Sequence, residues 1–205
     1  MGVLSETDDG LRRSFEPYYL GVASAIEKAG ELAAGVEAWL VGSVPSGIVE
    51  VADQYDSAVR LRLTTVEFGS DAEKNIHRLF QVSAALRSAY RGAFEATRLL
   101  SLMDNTPSLR ACLAMGGDGL ATQARLAPSS TGPFDRAAAL DNRRRASHTV
   151  LALSNAFIGM RRETMPGAGF STRRMQRACL LSLLVASESF QQAMDLLCQT
   201  AEASL

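Results

Sequence analysis

A mainly α-helical bundle is what this sequence predicts, and three observations predict it. Apolar residues recur at alternating spacings of three and four in several long stretches, the period of a helix with one buried face. Prolines number only six and aromatics are sparse at 6%, whereas Ala, Leu, Ser and Arg are abundant, which suits helices better than a β-sandwich. A hydrophobic fraction of 47% over 205 residues is enough for a core. Residues 1–205 are therefore expected to form one domain.

The first helix is expected over 17–41, with Pro17 in its first turn and Tyr19, Val22, Ile26, Ala29, Ala33, Val36 and Leu40 as the buried stripe, ended by Gly42. Pro45 opens a shorter helix to about Ser57, with Ile48, Val51 or Ala52, and Tyr55 inward. Val59, Leu61 and Leu63 then alternate with Arg60 and Arg62, a period of two that predicts a small β element. Ser70 and Glu73 form a capping box for the longest helix, 71–103, whose stripe is Ile76, Leu79, Val82, Leu86, Ala89, Ala93, Ala96, Leu100 and Met103. At 1.5 Å per residue it is roughly 50 Å long.

Turn-forming residues crowd 104–135, which reads as a mobile inner connection with at best one short helix near 108–115. Residues 137–162 form the next helix. Its stripe of Ala139, Arg143, Ala146, Val150, Leu153, Phe157 and Met160 is apolar from Ala146 onward and basic before it. Pro166, Gly167 and Gly169 break the chain, and an additional C-terminal helix within 171–205 carries Leu180, Leu183, Ala186, Phe190, Ala193, Leu197 and Ala201.

The net charge of -1 excludes a bulk polycation and leaves self-association unopposed. Its distribution is uneven. Residues 136–177 hold nine arginines against Asp141 and Glu163, a net +7, whereas residues 1–110 hold eleven bases and fifteen acids, a net -4. Nineteen of the 21 basic residues are Arg, which suits bidentate phosphate or carboxylate recognition and equally fits GC-rich coding.

Cys112, Cys179 and Cys198 lack the number and spacing of a disulfide framework or zinc site and read as reduced core thiols. The start of the chain lacks a signal-peptide pattern, and the longest nearly apolar run, 178–186, is too short to span a bilayer, so no membrane partner is expected. An intracellular place, or one inside an assembly, is expected. No enzyme is expected either. His77 and His148 share no helix and have no carboxylate at ligand spacing. GGDG at 116–119 follows no strand and precedes no Lys-Ser/Thr, which makes it a flexible turn rather than a phosphate loop. No cofactor or metal is implied.

Arginine runs on a helix are usually a solvated face paired with neighbouring acids. Glu95, four residues after Arg91, is one such partner. Were 71–103 and 136–161 antiparallel neighbours joined by the inner connection, however, Arg98 and Arg143, Arg144 and Arg145 would converge at one end of the bundle.

At these residues the chain resembles the coat proteins of rod-shaped RNA viruses, the tobamovirus-like family. Gly92-Ala93-Phe94-Glu95-Ala96-Thr97-Arg98, running on to Asp104-Asn105-Thr106-Pro107, is similar to the family's Gly-Ala-Phe-acid-Thr-Arg stretch before its inner loop. Leu140-Asp141-Asn142-Arg143-Arg144 resembles the Leu-Asp-x-x-Arg-Arg that opens the family's returning helix, and VRLRL at 59–63 takes the place of its short strand. Element order agrees over about 17–170. The family's C-terminal Phe-Glu and Gly-Leu-x-Trp signature is missing, the only tryptophan being Trp39, and Leu153 stands where an arginine is usual. The inner connection is longer than the family's, and the helix at 172–203 has no counterpart in compact members.

The resemblance implies an antiparallel four-helix bundle, two helices slewed and two long and radial, with a small β element and, in this chain, an extra C-terminal helix. It implies a helical homo-polymer, a filament or rod, that encapsidates single-stranded RNA in a virion assembled in the host cytoplasm. Arg98, Arg143 and Arg144 become RNA-phosphate residues by that resemblance, with Arg145 added from its position. Asp104 and Asp141 become inter-subunit carboxylates whose mutual repulsion would raise one pKa and favour assembly at lower pH. The competing expectation is a non-viral helical-bundle interaction protein with an Arg-rich partner-binding end. A helical enzyme or ligand binder is a third.

Overall fold

The computed structural model describes residues 9–36, 43–102, 107–126, 136–162 and 170–202. They form helices α1 (Asp9–Ala34), α2 (Ile48–Leu63), α3 (Asp71–Leu102), α4 (Pro107–Leu126), α5 (Arg136–Arg162) and α6 (Phe170–Glu202), with no strand among the described residues. The predicted helical bundle is present, and no helix in the described residues is long and apolar enough to cross a membrane.

Five long helices close a ring in the order α1, α3, α6, α5, α4 and back to α1. The bundle thus has five members rather than the expected four. Helix α6 is no appendage: Cys179, Leu180, Leu183, Ala186, Phe190 and Ala193 on it are completely buried. Paired positions give the directions. Ser88 meets Ser189, Gly92 meets Ser182 and Ala186, and Arg125 meets Glu27 and Glu31 while Gly117 meets Gly30 and Ala34, so α6 is antiparallel to α3 and α4 to α1. Gly116 against Leu153 and Gly119 against Thr149 make α5 antiparallel to α4. An odd ring cannot alternate throughout, and the parallel neighbours are α1 and α3. Helix α2 makes the return between them and packs on both.

Helix α2 is held by charge as well as by packing. The Arg87 guanidinium on α3 donates to Asp53 and Asp56, each at 2.7 Å, and Ser83 donates to Asp56 at 2.6 Å. Tyr18 of α1 donates to the Ser83 carbonyl at 2.9 Å. Phe15, Tyr18, Tyr19, Tyr55 and Phe190 form an aromatic cluster joining α1, α2 and α6, with centroids 5.2–5.9 Å apart.

Several boundaries move, each for a visible reason. Helix α1 starts earlier than expected, so Pro17 lies inside it, and it stops at Ala34 rather than Gly42. Gly35, at φ 97°, donates to the Leu32 carbonyl and Val36 to the Glu31 carbonyl, the glycine C-cap that satisfies the last carbonyls of a helix. The expected β element at 59–63 is the end of α2. Val59 continues the buried series Ile48, Ala52, Tyr55 at helical spacing, no second strand is present among the described residues to complete a ladder, and Leu61 is left 70% exposed. Half of the capping box at Ser70 is present, the Glu73 amide donating to Ser70 Oγ at 3.2 Å, while the Glu73 carboxylate reaches one residue further back and accepts from the Gly69 amide at 2.6 Å.

The largest correction falls in 104–135. Residues 107–126 are the twenty-residue helix α4, not a mobile connection. GGDG is no turn but the middle of that helix. A Cβ at Gly117 would stand 2.5 Å from the Gly30 carbonyl oxygen, and one at Gly30 would stand 2.6 Å from the Ala121 amide nitrogen. The glycines let two helix backbones touch.

Candidate anion-binding surface

On α5, Ala146, Thr149 and Leu153 are buried and fix the helix's rotation, leaving Arg144, Arg145 and His148 exposed. Arg143 lies in the same helix three residues before Ala146, and its side chain is outside the described residues. The Arg145 Nε donates to Asp141 Oδ2 at 2.9 Å, one turn away, and both side chains are about half exposed. Asp141 is thus held by an intrahelical ion pair. Asp104 lies outside the described residues. Arg144 has no ion pair with any described residue.

Arg98 is exposed near the end of α3. Its Nε and one terminal nitrogen donate to both oxygens of Glu95, at 2.9 and 2.7 Å. That hydrogen bond lowers the Glu95 pKa and raises the Arg98 pKa. Glu95 therefore pairs with Arg98, not with Arg91 as the spacing suggested.

The structure does not bring Arg98 to Arg143, Arg144 and Arg145. Helices α3 and α5 each pack along α6, which separates them. Ser88 bonds Ser189 at 3.0 Å and Gln191 bonds Ser147 at 3.4 Å, which sets Ser88 and Ser147 at nearly one level of the bundle. Arg98 stands ten residues, about 15 Å, beyond that level, whereas Arg145 stands only two residues from it, about 3 Å. The premise that 71–103 and 136–161 are antiparallel neighbours fails, and the convergence fails with it.

What shares Arg98's end is the start of α6. The antiparallel register of Gly92 with Ser182 and Ala186 brings Arg174 and Arg177, both exposed, to the level of the last turns of α3. In the sequence these two are only part of a basic zone, because the neighbour that gives them a place is found only once α6 is known to lie on α3. Among the described side chains, the arginines of 136–177 therefore fall in two places, the N-terminal half of α5 and the start of α6.

Among the described residues no group of His, Cys, Asp and Glu is arranged to hold a metal ion. Contrary to the expectation that His77 has no carboxylate at helical spacing, Glu73, four residues before it, lies 3.7 Å away on the exposed face of α3, and Cys179 is buried with its thiol pushed up to about 12 by desolvation. Comparison with protein-family models, with curated proteins and with solved structures returns no match.

Proposed function

We propose that this chain is the structural subunit of a helical nucleoprotein: it self-assembles into a rod or filament and coats single-stranded RNA through arginine–phosphate contacts without reading bases. The observation that carries the reading is Arg144 and Arg145, exposed on a long helix inside Leu140-Asp141-Asn142-Arg143-Arg144-Arg145, with Arg144 unpaired among the described residues. Guanidinium groups bind phosphate bidentately, and an exposed pair such as Arg145–Asp141 is marginal enough in water to be exchanged for it. The resemblance of 92–98 and 140–144 to coat proteins of rod-shaped RNA viruses supports the same reading, with the virion, built in the host cytoplasm, as its place. The subunit itself performs no chemistry in this proposal. The test is packaging. Arg143→Ala with Arg144→Ala is expected to lower the nuclease-protected RNA recovered with purified protein severalfold, and unchanged recovery would remove these arginines from the RNA interface.

A second reading has its own support. Arg98 and Arg145 are already paired with Glu95 and Asp141, and the arginines are divided between two surfaces. A helical-bundle interaction protein whose arginines meet the acids of a partner would look the same. Protein recovered free of nucleic acid, in discrete complexes with an acidic partner, is the outcome that favours it.

A further inference from the structure

We propose that Arg98, Arg174 and Arg177 form a second anion-binding surface, where α3 ends and α6 begins, that takes the phosphodiester backbone of single-stranded RNA. The identity of the anion rests on the coat-subunit reading; the surface itself rests on the packing of two helices.

Four observations carry it. Arg98 is exposed, and the antiparallel register set by Ser88 with Ser189 and by Gly92 with Ser182 and Ala186 puts the exposed Arg174 and Arg177 beside the last turns of α3. Neither Arg174 nor Arg177 has an ion pair with a described residue. The first turn of α6 carries no acid that could pair with them from their own helix. Lastly, Leu102 is 60% exposed and Leu181 49% exposed, one on each helix within the same stretch.

The form of the surface selects the ligand. Three guanidinium groups spread over two helices enclose nothing, so a small anion would meet one of them at a time and be held weakly. A polyanion meets all three together and releases the counterions of each phosphate it loses to them. Leu102, level with Arg174, and Leu181, about two turns inward, give sugar and base faces an apolar surface to lie on beside the charges, which a run of acidic side chains would not use. Arg98 gives up only an exposed pair with Glu95, and such pairs are marginal in water.

The full-length protein is titrated with a twenty-nucleotide oligouridylate by fluorescence anisotropy at several salt concentrations, and separately with inorganic tripolyphosphate. The variant R98Q/R174Q/R177Q is expected to fold as the native chain does by circular dichroism, since all three side chains are exposed. It is expected to flatten the salt slope for RNA by about two units, each phosphate contact on single strands contributing about 0.7. R144Q/R145Q serves as the comparison. If the triple variant keeps the native slope while R144Q/R145Q loses it, the second surface is refuted and the coat-subunit reading stands. If native protein ignores RNA but binds tripolyphosphate, and the triple variant does not, the surface binds anions and the coat-subunit reading falls. A triple variant that binds RNA normally but sediments differently from the native chain would make the surface a contact between copies, which overturns the proposal.

Discussion

Gly117 is the residue on which the packing of α1 and α4 turns. A Cβ there would stand 2.5 Å from the Gly30 carbonyl oxygen and 2.6 Å from the Ala34 amide nitrogen, both backbone atoms that cannot step aside. Gly117→Ala gains about 1 kcal/mol of helix propensity against about 1–3 kcal/mol of overpacking, so it should lose up to about 2 kcal/mol overall, read as a lower urea midpoint. Gly116→Ala should cost less, because the added methyl meets the Leu153 side chain rather than backbone. A Gly117→Ala chain more stable than the native one, the propensity gain standing alone, would show that the helices do not touch there. The sequence displays these glycines plainly, yet GGDG carries the same letters whether it turns the chain or lets a second helix approach. Only the partner glycine at 30 distinguishes the two, and it lies 87 residues away.

Titration at the residue scale has a definite sign. Burial pushes Cys179 up to about 12 and Tyr18 up to about 12, and it raises Tyr55 further still, where Asp56 adds to the effect. Each stays neutral in the native chain while its unfolded counterpart ionises from about pH 9 or 10. The native state then holds more protons than the unfolded one, so stability is complete below that range and falls as pH rises toward 12. A loss of about 1.4 kcal/mol per pH unit for each of the three groups is the expected upper slope, measured as the urea midpoint from pH 8 to 11. A flat profile would mean that these side chains are solvated.

At the scale of elements, α2 shows how a short helix is kept on a bundle. Its inner face is Ile48, Ala52, Tyr55 and Val59, and Arg87 grips its outer edge through Asp53 and Asp56. Arg87→Ala takes the cation from both acids, leaving Asp56 only its bond from Ser83, and should cost about 1–2 kcal/mol, the scale of hydrogen bonds to charged groups with allowance for partial exposure. Hydrogen exchange of α2 amides should accelerate while the buried amides of α3 keep their protection. Uniform acceleration would show that α2 is not an independent unit. This element is half legible from sequence: its inward residues stand out, but the alternation of Val59, Leu61 and Leu63 imitates a strand. Period two over five residues also fits a helix that buries Val59 and exposes Leu61. Helix α3, with its capping box and its long stripe, is legible almost to the residue because each of its local signals agrees.

At the scale of the molecule, the sequence settles the class and leaves the arrangement open. Periodicity says which face of a helix is buried and nothing of which helix covers it. Arg98 and the Arg143–Arg145 run therefore read as neighbours from sequence, whereas α6 stands between α3 and α5. The exposed arginines among the described residues are consequently divided between α5 and the place where α3 ends and α6 begins. For the proposed coat subunit, binding to single-stranded RNA should weaken linearly in log affinity with log salt, and each lost arginine contact should flatten that line by about 0.7.

The measurement that bears most directly on the central claim is negative-stain electron microscopy of the purified protein, paired with its absorbance ratio at 260 and 280 nm. Rods or filaments whose absorbance reveals nucleic acid are expected of a coat subunit. Discrete small oligomers, free of nucleic acid at low salt and with RNA added, would contradict it.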